Sequence, residues 1–280
     1  MEKLLVVDGS NLLFQMFYGM PARITNKDGK AIQGTLGFVG ALLKMIRMIA
    51  PTHVTVLFDG ECTNERSEIE PDYKGNRIDY SQMPEEDTPF SQLPDIYAAL
   101  DYLGIRHRET TDCEADDWIA GYAHSYGKKM DVVIVSQDSD FFQLIDQQVK
   151  VLRYRGEKSV LCNREYIQVK LGVEPEQYAA YKSLTGDTTD NIRGVEKVGP
   201  KTAAALMRQF GDLDTLLNQT EQISKPSVRK AVEESKERIR KNDVLIRLSG
   251  TAALPFDLNE LRYCDRGLTT SQVLHAIGIR

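Results

Sequence analysis

Asp131-Val132-Val133-Ile134-Val135-Ser136-Gln137-Asp138-Ser139-Asp140 is a short apolar run that ends abruptly in two carboxylates. Residues 131–135 read as a buried strand, and the same grammar occurs twice upstream: 3–7 runs into Asp8, and 53–58 runs into Asp59. Between these runs, Leu36, Val39, Leu43, Ile46 and Ile49 recur at helical spacing, as do Ala115, Trp118, Ile119, Tyr122 and Tyr126. Strands alternating with helices predict an α/β fold, a mostly parallel central sheet flanked by helices. In such a sheet ligands bind at the carboxyl ends of the strands, and here three strands deliver acids to that edge.

Two breaks organise the rest. From 61 to about 90 the chain is polar, contains Pro71, Pro84 and Pro89, and keeps no period, so a long functional loop is expected before helical patterning resumes at 90–103. Beyond 170 the character changes. Helical patterns at 164–171, 176–184, 201–210, 213–217 and 228–248 are separated by Gly172, Gly199-Pro200, Gly211 and Pro226. The expected division is an α/β domain over 1–170, carrying the loop 61–90, followed by a helical domain over 171–280.

Composition narrows the class. The 280 residues carry 35 Lys+Arg against 41 Asp+Glu, a formal charge of −6, with 41% hydrophobic residues. A globular chain with a sizeable core is implied, and disorder is excluded. The acidic balance argues at first against nucleic acid as a partner. Cys62, Cys113, Cys162 and Cys264 are scattered without a CxxC pair, which speaks against a zinc site or a disulfide framework and for a reducing, cytoplasmic setting. The N-terminal apolar run is too short for a signal peptide, and the apolar stretch 36–49 is interrupted by Lys44 and Arg47, so no membrane association is expected.

Further carboxylates join the strand-end set. Glu114-Ala115-Asp116-Asp117 opens a helix, with Glu114 and Asp117 on one face; Asp187-Thr188-Thr189-Asp190 has the same spacing, which a single helical turn would aim one way. Any one of these acids suits a turn or a helix N-terminus. Nine of them together would repel one another severely without cations. Oxygen-only ligands select a hard ion such as Mg²⁺ or Mn²⁺, and the excess of acids implies two ions. Two such ions serve hydrolysis of a phosphate ester.

Gly194-Val195-Glu196-Lys197-Val198-Gly199-Pro200-Lys201-Thr202-Ala203 follows closely. Its glycines permit a tight hairpin, and Pro200 suits the start of a helix whose free amides, with Lys201 and Thr202, would meet a nucleic-acid backbone without reading its sequence. In the polar loop, Tyr73-Lys74-Gly75-Asn76-Arg77, with Arg66 upstream, offers cations for a phosphate and a ring for an unpaired base, although basic loop residues are commonly just solvated.

The combination of Val7-Asp8-Gly9-Ser10-Asn11, Phe58-Asp59, Tyr73–Arg77, Glu114–Asp117, Ser136–Asp140 and 186–195 resembles the 5′ nuclease (flap endonuclease) family, in its bacterial and bacteriophage branch. The resemblance runs in order from residue 3 to about 250. It implies a PIN-like nuclease fold in which 61–90 is a helical arch threaded by a single-stranded 5′ end, and in which 194–203 is the hairpin of a helix-three-turn-helix module. It further implies a Mg²⁺-dependent 5′→3′ exonuclease and flap endonuclease acting on 5′ flaps, nicks and single-stranded 5′ ends, with RNA primers as a further candidate, in replication primer removal and DNA repair. By motif position, Asp8, Asp59, Asp116, Asp117 and Asp138, with Glu114 directly or through water, would form a first metal site, and Asp140, Asp187 and Asp190 a second. Lys74 and Arg77 would engage the scissile phosphate beside Asp8 and Asp138. Arg66, Tyr73, Gly194, Gly199, Lys201 and Thr202 would contact DNA, and the carbonyls of Val195 and Val198 would hold a K⁺ ion. The chain departs from the pattern at Arg193, where Pro is common, at Glu196-Lys197, and in the acidic run Glu85-Glu86-Asp87.

A monomeric, free-standing nuclease is expected, with no polymerase region after Arg280. Two other readings stay open: a PIN-type ribonuclease, which would lack the arch and hairpin, and a catalytically inactive junction-binding scaffold, which would show gaps in the acid set. A haloacid-dehalogenase phosphatase is disfavoured, because Asp8 lacks a second Asp two residues on. The charge objection weakens once the nine proposed ligands are set aside, since the remaining acids no longer outnumber the 35 basic residues.

Overall fold

Six strands form one sheet in the order β3-β2-β1-β4-β5-β6: β1 (Lys3–Asp8), β2 (His53–Phe58), β3 (Arg106–Glu109), β4 (Asp131–Val135), β5 (Val149–Arg153) and β6 (Val160–Cys162). The first five are parallel, and β6 adds an antiparallel edge. The structure is a computed structural model that describes residues 2–20, 22–60 and 65–279. Cys62 and the first four residues of the loop expected at 61–90 lie outside the described residues. Cys113, Cys162 and Cys264 form no disulfide. Among the described residues no helix is long and apolar enough to cross a membrane.

The helices over the first half are α1 (Gly9–Gly19), α2 (Gln33–Ile49), α3 (Glu65–Ile69), α4 (Leu93–Leu103) and α5 (Ala115–Tyr126). Along β1, Leu5 and Val7 face one way, into a core with Phe38, Leu42 and Met45 of α2 and Ile96 of α4. Leu4 and Val6 face the other way, toward Ala115, Trp118, Ile119 and Tyr122 of α5. This two-sided burial follows from the unbroken apolar runs, each fully buried Leu, Val or Ile contributing about 1.5–3 kcal/mol.

The second half contributes α6 (Arg164–Leu171), α7 (Tyr178–Thr185), the strands β7 (Gly186–Asp187) and β8 (Ile192–Arg193), then α8 (Pro200–Phe210), α9 (Leu213–Asn218), α10 (Pro226–Glu234), α11 (Lys236–Ile246) and α12 (Thr270–Ala276). The apolar core does not break at residue 170: Tyr178, Leu184, Ala203, Met207 and Leu216 pack into the same cluster as Leu4 and Val6. The last segment returns to the sheet. Tyr263 donates its amide to the Thr52 carbonyl, and Val273 of α12 joins the α2 side of the core.

Several elements differ from expectation. The edge strand β3 is Arg-His-Arg-Glu, largely exposed, and carries no apolar alternation by which to recognise it. Strands β5 and β6 and helix α1 add to the expected set. The helix expected over 228–248 is two helices that meet at Ser235. Among its described residues, the segment expected as a helical arch is not a continuous helix: α3 is a short helix, and single 3₁₀ turns at Tyr80–Gln82, Glu85–Asp87 and Pro89–Gln92 follow it. The rings of Phe14, Tyr80 and Phe90 pack edge to face under this stretch, and Asp87 of the acidic run pairs with Arg23 at 3.1 Å.

The hairpin β7–β8 is held by close backbone approach. Gly186 has φ +80°, and a Cβ there would lie 2.4 Å from the Gly194 amide nitrogen and 2.6 Å from the Ile192 carbonyl oxygen. At Gly194 a Cβ would lie 2.3 Å from the Thr185 carbonyl oxygen. Gly186→Ala is therefore expected to destabilise the protein by about 2–3 kcal/mol, read as a lower urea midpoint at an unchanged denaturant slope. A midpoint equal to the parent's would contradict the crowding.

Candidate active site

Parallel register brings the strand-end acids level. Val7 pairs with Val56 on one side and Val135 on the other, so Asp8 and Ser136 end adjacent strands and Asp59 follows two residues after the partner of Asp8. Asp8 caps α1, its Oδ1 accepting the Asn11 amide at 2.9 Å, while its Oδ2 accepts the Ser136 hydroxyl at 2.8 Å. Ser136 Oγ in turn accepts the Asp138 amide at 3.0 Å, and Asp138 Oδ1 accepts the Asp140 amide at 2.8 Å. Asp59 Oδ1 accepts the Ala115 amide at 2.9 Å, which ties the end of β2 to the start of α5. Sequence reasoning gives Ser10, Asn11 and Ser136 no role; the available signal is a run of small polar residues directly after each apolar strand.

Helix α5 divides its acids. Asp116 faces the strand-end cluster, where Asp138, Asp59 and Asp8 raise its pKa in addition to burial. Asp117 instead receives both terminal nitrogens of Arg66, at 3.0 and 3.3 Å, and Glu114 receives the ammonium of Lys74 and the same guanidinium. Arg66 also donates Nε to the Leu245 carbonyl at 3.0 Å. Arg66, expected to meet DNA, is 9% exposed here and bonded to two carboxylates and a carbonyl.

The acids of the 186–193 segment sit on the β7–β8 hairpin and not on a helical turn. Three-residue spacing fits either form, and the positive φ of Gly186 and Asn191 selects the turn. Asp187 Oδ1 accepts the Thr189 amide at 2.8 Å, and Oδ2 meets Lys182 Nζ at 2.5 Å. Asp190 Oδ1 accepts from Arg77 Nη2 at 3.1 Å, and its carbonyl accepts the Lys74 amide at 3.0 Å. Asn76 Nδ2 reaches the Thr188 carbonyl at 2.8 Å and Asn191 Nδ2 the Asp72 carbonyl at 2.9 Å, so the arch base is stapled to the hairpin. Tyr73, expected to stack on a base, is enclosed in this structure. It is 7% exposed and packs against Ala179, Ile192, Leu245 and Ile246, so its ring anchors the arch instead.

Electrostatics follow from enclosure. Burial, and then the charge of Asp59, push the Asp8 carboxyl up to about 7; burial and Asp138 push Asp140 well above the usual carboxylate range, and Asp138 itself rises chiefly through burial. At Glu114 burial acts the same way, but Lys74 and Arg66 outweigh it and hold the carboxyl below its usual range. Burial disfavours the Lys74 ammonium, yet Asp116 and Glu114 outweigh it and keep the side chain protonated far into alkaline pH. Among the described residues no three acidic, histidine or cysteine side chains form a ready-made cage for one ion. The donor set nonetheless fits hard divalent cations: it is all oxygen, Asp8, Asp140, Asp187 and Asp190 are buried, and Asp140 Oδ1 accepts no hydrogen bond among the described residues.

The hairpin before α8 also differs from expectation. The left-handed residue is Lys197, φ +65°, while Gly199 is extended and caps α8 without a side chain. Gly194 is needed for close approach to Thr185, and the Val195 carbonyl accepts the Val198 amide at 3.1 Å. Lys201 is exposed and Thr202 half-buried at the open start of the eleven-residue α8.

The model of the 5′-3′ exonuclease N-terminal resolvase-like domain matches residues 3–172, and that of the 5′-3′ exonuclease C-terminal SAM fold matches residues 173–267. The chain belongs to the 5′-3′ exonuclease family. DNA polymerase I of Rhizobium leguminosarum is 34% identical over 268 residues, covering 93% of this chain and 26% of that one, so the chain spans about a quarter of that relative's length. The bacteriophage T5 5′-exonuclease, solved with zinc bound as its divalent metal, is 25% identical with a TM-score of 0.71, over 88% of this chain and 90% of that one. A T5 flap endonuclease variant in a pseudo-enzyme-product complex with DNA and metal ions shares the fold along 99% of both chains, with a TM-score of 0.72 at 23% identity. The 5′-3′ exonuclease fold thus agrees with the mostly parallel sheet and helical second half expected from sequence.

The raised Asp8 carboxyl has a consequence for stability. Its folded-state pKa, about 7, exceeds the ordinary 3.8, so its contribution is fully present below 3.8 and is lost as pH rises through 7. In EDTA, Asp8→Asn, which keeps the helix cap, is expected to match the parent near pH 4 and to melt several degrees higher at pH 8, by differential scanning fluorimetry. Parallel melting curves at both pH values would refute the burden assigned to Asp8.

Proposed function

We propose that this chain is a structure-specific 5′ nuclease that hydrolyses phosphodiester bonds in DNA near single-strand/duplex junctions, using two Mg²⁺ ions that Mn²⁺ can replace. The observation that carries the reading is the convergence of acids from three parallel strand ends, α5 and the β7–β8 hairpin onto one rim bordered by Lys74 and Arg77. Membership in the 5′-3′ exonuclease family supports it. Asp8, Asp59, Asp116 and Asp138 would hold the first ion, with Glu114 and Asp117 behind them, fixed by Lys74 and Arg66. Asp140, Asp187 and Asp190 would hold the second. When bound, the two ions supply an activated water and charge stabilisation for the leaving oxygen.

The chain's own residues do the rest. Lys74, fixed by its left-handed backbone and its bond to the Asp190 carbonyl, directs an ammonium to the edge of the acid cluster, where a phosphate oxygen would lie between it and the carboxylates. Arg77 stands beside it on Asp190. Cleavage of the P–O3′ bond by water leaves a 5′-phosphate and a 3′-hydroxyl. The open amides at the start of α8, with Lys201 and Thr202, would grip the duplex backbone. The Val195 and Val198 carbonyls would hold K⁺, Val195 sharing its oxygen with the Val198 amide. A monomer acting on 5′ flaps, nicks and RNA primers, through a 1–170 nuclease region and a 171–280 DNA-gripping region, completes the reading.

Mapping cuts on 5′-labelled flap, nicked and single-stranded substrates, with Mg²⁺ and with EDTA, tests it: junction cuts that need Mg²⁺ are expected, and binding without cuts would favour the scaffold. Asp138→Ala is expected to abolish cleavage and retain junction binding, and full Mg²⁺-dependent activity in that variant would sink the proposal. Lys201→Glu is expected to weaken duplex binding uniformly across sequences and lower the salt slope by about one; a slope equal to the parent's would remove α8 from the DNA interface.

A further inference from the structure

Lys182 takes no part in the reading above, yet its charge lies inside the second acidic group. It sits in the last turn of α7, one short turn before the hairpin, and its Nζ is 2.5 Å from Asp187 Oδ2. A lysine there also suits the helix dipole, and an ordinary surface pair of this kind contributes at most about 1 kcal/mol and exchanges freely with water. This pair is different. The side chains of Lys182 and Asp187 are only 15% and 10% exposed. The other oxygen of Asp187 is taken by the Thr189 amide, so both oxygens are engaged. Asp140, which packs beside α7, feels the Lys182 charge as well, and its Oδ1 accepts no hydrogen bond among the described residues.

An oxygen lone pair that accepts from an ammonium at 2.5 Å cannot also ligate a cation in the same direction. Lysine is a compact point charge on a flexible stem, so it can withdraw from Asp187 without leaving the neighbourhood. We propose that Lys182 is a tethered counter-ion of the Asp140–Asp187–Asp190 group: a divalent cation must displace it from Asp187, and its retained charge holds the second metal's affinity below the first's. The proposal rests on the two-metal reading above. It makes Lys182 a positioning residue, and it gives the phosphate of a bound substrate a role in recruiting the second ion, since that negative charge offsets the displaced ammonium.

Mn²⁺ binding to the DNA-free protein, followed by electron paramagnetic resonance, tests it in the parent, Lys182→Met and Lys182→Arg. The parent is expected to bind two ions of unequal affinity. Lys182→Met is expected to tighten the weaker site by about tenfold, while Lys182→Arg stays within about twofold of the parent. In EDTA, Lys182→Met is also expected to melt below the parent, because Asp187 loses its partner, and Mn²⁺ is expected to close that gap. Should Lys182→Met not fold, Lys182→Gln, which keeps a neutral donor for Asp187, is expected to show the same tightening. Identical Mn²⁺ affinities in all variants, with two ions bound by the parent, would overturn the role of Lys182 and leave the two-metal reading standing. A parent that binds no Mn²⁺ sensitive to Asp138→Ala would overturn the two-metal reading, and the inference with it.

Discussion

Carboxylates crowded onto one enclosed rim repel one another, and the rest of this molecule is arranged around that repulsion. Asp8, Asp116, Asp138 and Asp140 sit close enough for each to raise a neighbour's pKa, in surroundings where water screens poorly. The outer acids are balanced by the protein's own cations: Arg66 on Asp117 and Glu114, Lys74 on Glu114, Arg77 on Asp190 and Lys182 on Asp187. The inner set makes no ion pair among the described residues and is only partly offset, by the charges of Lys74 on Asp116 and Asp138 and of Lys182 on Asp140. A rim of this kind survives only on a stiff frame, and the frame is the central strand β1, whose Leu4 to Val7 are buried on both faces.

The frame also explains why backbone geometry matters as much as side-chain identity. The parallel register places Asp8 and Ser136 at the same level, so a single hydroxyl can serve both Asp8 and the amide of Asp138. The hairpin that brings Asp187 and Asp190 depends on two glycines pressed against neighbouring backbone. The proposed site therefore draws on both halves of the chain, which share one continuous core.

Much of this is legible in the sequence, because the apolar strands are unbroken and stop at acids. That pattern reveals the sheet, its functional edge and the strand-end carboxylates, and the paired spacing at 114–117 and 187–190 adds the others. Long-range pairing is not legible. Arg66 lies 48 residues from Glu114 and 179 from Leu245, and nothing local distinguishes it from a solvated loop arginine. Tyr73 looks available because its neighbours are polar, whereas its partners Ala179, Ile192, Leu245 and Ile246 are more than a hundred residues away. The spacing of Asp187 and Asp190 fits a helical turn and a tight hairpin alike, and only the backbone sign at Gly186 and Asn191 separates them. The strand β3 escapes notice because a polar edge strand announces itself by hydrogen bonds alone.

The staples between the arch base and the hairpin have a thermodynamic consequence. Asp72, Lys74, Asn76 and Arg77 on one side and Thr188, Asp190 and Asn191 on the other are bonded through backbone and side chain together, so neither segment shifts without straining the other. On the proposed reading, work done on the arch by an incoming strand would be felt at Asp190, and whatever steadied Asp190 would steady the arch by the same free energy. Strand capture and the occupancy of the second acidic group would then be two faces of one linkage, with the hairpin as its shared element.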